Sequence, residues 1–191
     1  MKSAIGITSI KIFGPLGFET AYKLYKEKAQ IVEEHRFPKF FLERFEAIAD
    51  EMLITAPQGE RIIYSAEIGE GGLFAALWEM GEVLGTGMEI SLEDIYIRQE
   101  VIEMLELFAE SPYECSSKGC YLTVDDILGK DGKVTYEIAG DLKEETDLFL
   151  YADIGHTCKE KSRVVISQDG ERFLTPPERQ QSDIADRKRK L

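Results

Sequence analysis

Hydrophobic residues recur along the chain at two spacings, which separate predicted strands from predicted helices. β-Branched and roughly alternating positions predict strands over 4–13, 61–68 and 88–91, the second of them a buried strand. Apolar residues three and four positions apart predict helices over 18–34, 38–52, 73–84 and 98–109. Helices and strands are therefore interspersed through the first part of the chain.

The later part of the pattern consists of short predicted strands. They cover residues 120–124, 134–139, 148–152, 163–167 and 172–174. Asp169-Gly170 is a hairpin signal between the last two. Because several strands follow one another here, the sequence predicts an α+β fold, with helices packed on a β-sheet, and not a strictly alternating α/β fold.

Length and composition fit one domain. The chain has 191 residues, 43% of them hydrophobic, which is enough for a core without disulfides or a structural metal. We expect this domain to occupy residues 1–177, with aromatic residues in its core: Phe40, Phe41, Phe45 and Trp78. The polar segment 178–191 is expected to be a disordered tail.

Net charge, hydrophobic segments and cysteine spacing exclude several kinds of partner and site. The formal net charge of −13 argues against nucleic acid and membrane surfaces as partners. No apolar segment is long enough for a signal peptide or a membrane span, which predicts a cytoplasmic protein. The three cysteines, Cys115, Cys120 and Cys158, include no Cys-x-x-Cys pair, and no metal site is expected.

A glycine-rich turn between a strand and a helix is the most chemically suggestive segment. Gly69, Glu70, Gly71 and Gly72 lead directly into the helix that contains Trp78. A helix N-terminus exposes backbone N–H groups, and glycines let an anion approach them. Glu67 and Glu70 oppose an anion unless a metal ion or a cationic group of the ligand lies between them and the anion. The same glycines are also explained by close packing of the helix on its sheet.

Three other groups of reactive side chains are weaker candidates. Asp125 and Asp126 could bind a hard cation, but acidic pairs in turns are usually solvated. The first two cysteines could form a redox pair, although buried or idle thiols are the commoner case. His156 and Cys158 are two positions apart, so on a strand they face one side like a base and a nucleophile, but no third group completes the set.

Several stretches, taken in order, resemble a known family. They are residues 69–82, which begin Gly-Glu-Gly-Gly-Leu-Phe, residues 85–90, residues 95–101 and Ser111-Pro-Tyr-Glu-Cys-Ser-Ser-Lys-Gly. This ordered set is similar to the C-terminal domain of the aminoimidazole ribonucleotide (AIR) synthase-related superfamily, and most similar to its hydrogenase-maturation, HypE-type branch. Residues 14–21 and 172–178 resemble the segments that open and close that domain.

The resemblance implies an α/β sandwich built on a mixed β-sheet. In the family, this domain follows an N-terminal domain that binds ATP and dimerises, and it contributes an Asp-x-Thr-x-Gly-Gly loop to the active-site cleft. Glu67 here takes the place of the aspartate, and Gly69 takes the place of the threonine. The segment between Val124 and Val134 is too short for the helix that the family places there, so residues 146–162 are expected to supply a strand and a loop instead.

Two functions follow from these matches and departures. The leading hypothesis is a stand-alone, non-catalytic module for small-ligand binding or assembly, without an ATP-binding half or a cofactor of its own. Its candidate ligand contacts are Glu67, Gly69, Glu70, Gly71 and Gly72. The sequence lacks the C-terminal cysteine that carries the carbamoyl group in the HypE-type branch, so that chemistry is not expected.

The alternative is one half of an ATP-dependent enzyme that works in trans. Such an enzyme would activate an amide or carbamoyl oxygen, as in purine synthesis or hydrogenase maturation. ATP and magnesium would then come with a separate ATP-binding partner. The expected partners are accordingly a second copy, forming a homodimer, or a separate ATP-binding domain of the same superfamily.

Overall fold

The structure, a computed structural model, describes residues 8–127, 133–138, 141–144 and 151–177. Those residues form nine strands: β1 (Thr8–Phe13), β2 (Ile62–Ile68), β3 (Gly87–Ser91), β4 (Ser117–Asp126), β5 (Thr135–Ile138), β6 (Asp141–Glu144), β7 (Tyr151–Cys158), β8 (Arg163–Ser167) and β9 (Gly170–Phe173). Seven of these strands form the main sheet, in the order β2-β4-β1-β7-β3-β8-β9, while β5 and β6 form a separate pair.

Five α-helices of the described residues pack on the main sheet: α1 (Phe18–Glu27), α2 (Ala29–His35), α3 (Lys39–Ala47), α4 (Gly72–Leu84) and α5 (Gln99–Glu106). Local signals set several helix ends. α3 begins directly after Pro38, and α4 ends at Gly85, whose φ of 66° is the left-handed conformation that favours glycine. A short 3-10 helix, Ile48–Glu51, continues α3.

The main sheet is mixed. β3 and β8 are parallel, whereas the other neighbouring strands pair antiparallel. The predicted hairpin at Asp169-Gly170 is confirmed, since β8 and β9 pair with Ser167 opposite Gly170. The α+β fold with helices on a mixed sheet is therefore confirmed. Within the described residues, no helix is long and apolar enough to cross a membrane.

The principal core lies between α4 and one face of the main sheet. Ile10 and Ile12 of β1 face α4, and Leu77 and Met80 of α4 pack in the same cluster. A second cluster joins α1, α2, α3 and α5 around Phe18, whose ring centroid is 5.3 Å from that of Phe45. Alternating apolar side chains of the strands thus hold α4 on the sheet, whereas the residues of the second cluster come from helices and loops.

The opposite face of the sheet is partly covered by the β5–β6 pair. Phe13 alternates with Ile12 along β1 and so points to this face. The centroid of its ring lies 5.5 Å from the ring centroid of Tyr136 of β5 and 5.6 Å from that of Tyr151 of β7. The chain therefore has a third, smaller aromatic cluster on the side of the sheet away from α4.

Three local predictions differ from the structure. The single helix predicted over 18–34 is two helices, because Lys28 leaves helical geometry at φ −114° and ψ 33°. β2 is an edge strand with alternating exposure and not a buried strand, since its outer side has no neighbouring strand among the described residues. Of the aromatic residues predicted to be in the core, Phe41 and Phe45 are buried, but Phe40 is 62% exposed and Trp78 is only partly buried.

The chain after β4 departs furthest from its prediction. Of the short strand expected at 148–152, residues 151 and 152 begin the eight-residue β7, which lies between β1 and β3 in the middle of the main sheet, and residues 148–150 lie outside the described residues. β6 was not predicted, because its Asp-Leu-Lys-Glu sequence has no strand pattern. The predicted tail at 178–191 and the first residues of the strand predicted from residue 4 lie outside the described residues.

Candidate functional site at the glycine-rich turn

The glycine-rich turn joins β2 to α4 through two left-handed glycines. Gly71 has φ 84° and Gly72 has φ 65°, conformations that non-glycine residues rarely adopt. The Gly72 N–H donates to the Gly69 carbonyl at 3.0 Å and closes the turn. The strand, turn and helix predicted from the sequence therefore form a single unit, with glycine required at positions 71 and 72 by the backbone.

Gly72 is also required by packing. A Cβ at this position would lie 2.5 Å from the Tyr113 carbonyl oxygen and 2.6 Å from the Glu114 carbonyl carbon. The Tyr113 carbonyl accepts the Phe74 N–H at 3.3 Å, so it caps the N-terminus of α4. A Cβ at Gly69, by contrast, would meet nothing within 4 Å. One side of the turn is therefore closed by the chain itself, and the other side is open.

The segment 111–119 connects this turn to the glycine-rich segment before α1. The hydroxyl of Ser117 accepts the Gly17 N–H at 2.8 Å, and a Cβ at Gly14 would lie 2.6 Å from the Gly119 carbonyl oxygen. Thr20 donates its hydroxyl to the Ser116 carbonyl at 2.7 Å. Three of the stretches on which the family resemblance rests are thus in direct contact, although up to about 100 residues separate them in sequence.

The structure separates Glu67 from the rest of the predicted site. Ile68 is fully buried in the core under α4, whereas Glu67 pairs across the strands with Tyr121, which packs in the cluster on the opposite face of the sheet. Its carboxylate accepts the Gly119 N–H at 2.9 Å. Of the predicted ligand contacts, Gly69, Glu70, Gly71 and Gly72 lie together in the turn, and Glu67 connects to that region through β4.

Sequence reasoning missed two side chains beside the turn. The Tyr113 ring stacks with the Phe74 ring at a centroid distance of 5.5 Å, and the Arg172 guanidinium lies 4.7 Å from the Phe74 centroid. Burial raises the pKa of Tyr113, and the nearby charge of Arg172 partly offsets that rise. The resemblance included residues 113 and 172, but their contact with α4 is not visible in the sequence.

The first residue of the acidic pair is buried, whereas acidic pairs in turns were expected to be solvated, and Asp126 is partly exposed. Asp125 is 1% exposed and lies in β4. Its carboxylate is 3.1 Å from the Lys11 ammonium and 3.0 Å from Nε of Arg61. This arrangement is a buried ion-pair cluster. Among the residues that the structure describes, no group of three or more histidine, cysteine, aspartate or glutamate side chains is placed to hold a metal ion.

Within the described residues, the candidate cysteines and His156 have separate surroundings. Cys115 and Cys120 are buried thiols that form no disulfide. Burial raises the pKa of Cys115 to about 11 and raises that of Cys120 as well, which disfavours the nucleophilic thiolate. Cys158 donates to the Glu160 carbonyl, and His156 lies 3.7 Å from Glu89.

The comparisons with known proteins agree on the fold. No family model matches the sequence, and no curated protein is similar to it in sequence. Solved structures are similar: the hydrogenase maturation protein HypE in complex with ATP has a TM-score of 0.60 at 14% identity, over 90% of this chain and 51% of that chain. A HypE–HypF complex has a TM-score of 0.57 at 15% identity, over 89% and 53%.

A third similar structure is thiamine monophosphate kinase from Aquifex aeolicus. Its TM-score is 0.51 at 14% identity, over 89% of this chain and 52% of that chain. At such identities the likeness establishes a shared fold. The chain therefore has the fold of AIR synthase-related proteins, as the sequence predicted.

More particularly, the chain spans about half the length of HypE and of thiamine monophosphate kinase. In the second of these similar structures, HypE is in complex with HypF.

Proposed function

We propose that this chain acts as a C-terminal-like domain of the AIR synthase-related type, serving as a non-catalytic module for small-ligand binding or assembly. The observation that carries the proposal is the Tyr113 carbonyl at the start of α4. It accepts the Phe74 N–H at 3.3 Å and packs against Gly72. The chain's own backbone thus takes part of the position that a phosphate would need at a helix N-terminus.

The residues around the turn do not fit a triphosphate. Besides the carbonyl of Tyr113, the carboxylates of Glu70 and Glu114 are exposed beside the turn, and both oppose an anion. Arg172 is the nearby cation described above, but it lies over Phe74. A small ligand on the open side of the turn would contact Gly69 and Glu70, and Glu70 favours a neutral or positively charged ligand.

Binding of nucleotides to the purified chain tests this proposal. Isothermal titration with ATP and with ADP, each with and without magnesium, is expected to give no saturable heat. Thermal unfolding followed by the fluorescence of Trp78 is expected to show no shift of the midpoint with the same additions. Saturable, magnesium-dependent ATP binding by the chain would overturn the non-catalytic reading.

A second candidate is the in-trans half of an ATP-dependent amide- or carbamoyl-activating enzyme. It is favoured by one observation: the chain spans 51% of a HypE whose structure contains ATP. In this case ATP and magnesium would be bound by a separate domain of the superfamily. The test is to mix the chain with the ATP-binding N-terminal domain of a HypE and follow co-elution and ATP hydrolysis.

Each result of that mixing experiment separates the two candidates. Co-elution with ATP hydrolysis above that of the N-terminal domain by itself would favour the in-trans enzyme. Co-elution without added hydrolysis would favour an assembly module. Light scattering of the chain by itself then determines whether it also forms the expected homodimer.

A further inference from the structure

A depression of about 430 Å³ lies on the helical layer, away from the glycine-rich turn. α1, α2 and the start of α3 surround it. Val32, Phe37 and Leu42 supply its apolar lining, and Glu33 and Arg36 are among its charged lining residues. Its volume falls within the range of small-molecule sites. None of its residues belongs to the turn at 69–72 or to the core under α4.

The backbone conformation at the two ends of α2 shapes this depression. α1 ends where Lys28 leaves helical geometry, and α2 starts with the small residue Ala29. Arg36 ends α2 in the left-handed conformation, at φ 61°, with its N–H donating to the Glu33 carbonyl at 3.2 Å. Phe37 then stacks on Phe41 with ring centroids 4.4 Å apart and planes 6° apart, so a buried ring supports this apolar side of the depression.

The two basic side chains of the depression differ in their partners. Lys26 is 3.3 Å from the Glu46 carboxylate, and its ammonium lies 4.6 Å from the ring centroid of Tyr25. The exposed Arg36 guanidinium forms no ion pair with any residue that the structure describes. A planar cation therefore stands beside an apolar wall with its charge available to a ligand.

We propose that this depression binds a small amphipathic monocarboxylate. The ligand's carboxylate pairs with the Arg36 guanidinium, because two parallel N–H groups of a guanidinium can donate to the two oxygens of a carboxylate. The apolar body lies on Val32, Phe37 and Leu42. Glu33 also lines the depression and repels a second negative charge, so a monoanion is favoured over a phosphate or a dicarboxylate.

The test uses 3-phenylpropanoate as the probe, followed by chemical shifts of backbone amides in the full chain. We expect saturable shifts centred on residues 29–42. The neutral analogue 3-phenylpropanamide and the dianion phenyl phosphate are each expected to bind at least about tenfold more weakly, because one loses the charge pair and the other meets Glu33. Equal binding of the amide would overturn the proposal, as would shifts centred elsewhere or no saturable shift with the carboxylate.

Arg36→Gln gives the matching change in the protein. Glutamine, like arginine, has a Cβ and an unbranched side chain, so it adopts the left-handed conformation at this position about as readily. The substitution removes a charge at an exposed position, so the fold is expected to be retained. Binding of 3-phenylpropanoate should weaken about tenfold. Lys23→Gln is the control, because Lys23 is an exposed cation of α1 that does not line the depression. Unchanged binding by Arg36→Gln, or equal weakening by both variants, would contradict the proposal.

Discussion

The Asp125 carboxylate lies 3.1 Å from the Lys11 ammonium, in an ion pair that joins the neighbouring strands β4 and β1. The Asp125 side chain is 2% exposed and the Lys11 side chain 11% exposed. Arg61, just before β2, reaches the same carboxylate at 3.0 Å. One acidic side chain therefore links three parts of the sheet on the face away from α4.

Asp125→Asn is expected to lower the free energy of unfolding by about 3 kcal/mol. Asparagine has nearly the same shape, but it removes the negative charge that two cations contact in a buried position. Urea denaturation measures the loss. Asp94→Asn is the matched control, because Asp94 is exposed in a turn and should change the free energy by less than about 0.5 kcal/mol. Equal effects of the two variants would show that the buried pairs contribute nothing.

Gly72→Ala is expected to destabilise the protein by about 3 kcal/mol, since it combines overpacking with a left-handed backbone. The added Cβ would lie 2.5 Å from a carbonyl oxygen that belongs to the backbone at Tyr113 and cannot swing away. Gly69→Ala is the control, because its Cβ would meet nothing within 4 Å. Thermal unfolding of the two variants gives the comparison. Similar midpoints would contradict the requirement for glycine at position 72.

The buried thiol of Cys115 gives the chain an expected pH dependence. Burial raises its pKa from 9.0 to about 11, so the folded state holds the proton more tightly than the unfolded state. The stabilisation is present below about pH 9 and is lost as the pH rises through 11, so at most about 2 kcal/mol is lost by pH 10.5. Urea denaturation at pH 8 and pH 10.5 measures the loss.

Cys115→Ala isolates this contribution. The variant loses packing at every pH, but the other titrating groups are common to both proteins. The difference between wild type and variant is therefore expected to shrink as the pH rises from 8 to 10.5. A difference that stays constant with pH would mean that the Cys115 thiol keeps its ordinary pKa in the folded chain.

Local signals made some elements predictable from the sequence. The helix α4 has apolar residues at helical spacing, glycines before it and Gly85 after it, and all of these act within a few residues. The position of β2 at the sheet edge depends on which strands pair with each other. The residues of β2 by themselves do not contain this information. Ile63 also contributed to the wrong prediction of a buried strand. Its apolar side chain suggests burial, but it is 48% exposed in the structure.

The candidate site shows the same division. The turn at 69–72 was predictable, because closely spaced glycines between a predicted strand and a predicted helix are a local signal for a turn. The alternation along β2 also contained the information that Glu67 faces away from the buried Ile68. The cap by Tyr113 and the ion pairs of Asp125 join segments tens of residues apart, so no local pattern could indicate them.

The contact between Arg163 and Trp78 can be measured directly, because Trp78 is the single tryptophan of the chain. The guanidinium lies 4.0 Å from the ring centroid and its side chain is 11% exposed, so it shields the indole while it pairs with Glu82. Arg163→Ala is expected to shift the fluorescence emission to longer wavelength and to cost about 2 kcal/mol of unfolding free energy.

Two further variants separate the shielding of Trp78 from other effects of Arg163. Glu82→Gln removes the exposed partner of the ion pair and should leave the emission maximum unchanged, because the guanidinium can remain over the ring. Arg172→Ala removes a comparable contact over Phe74 and should also leave it unchanged. An Arg163→Ala protein with wild-type emission would show that this guanidinium does not cover the indole in solution. A shift in all three variants would point instead to a general loosening of the helix α4.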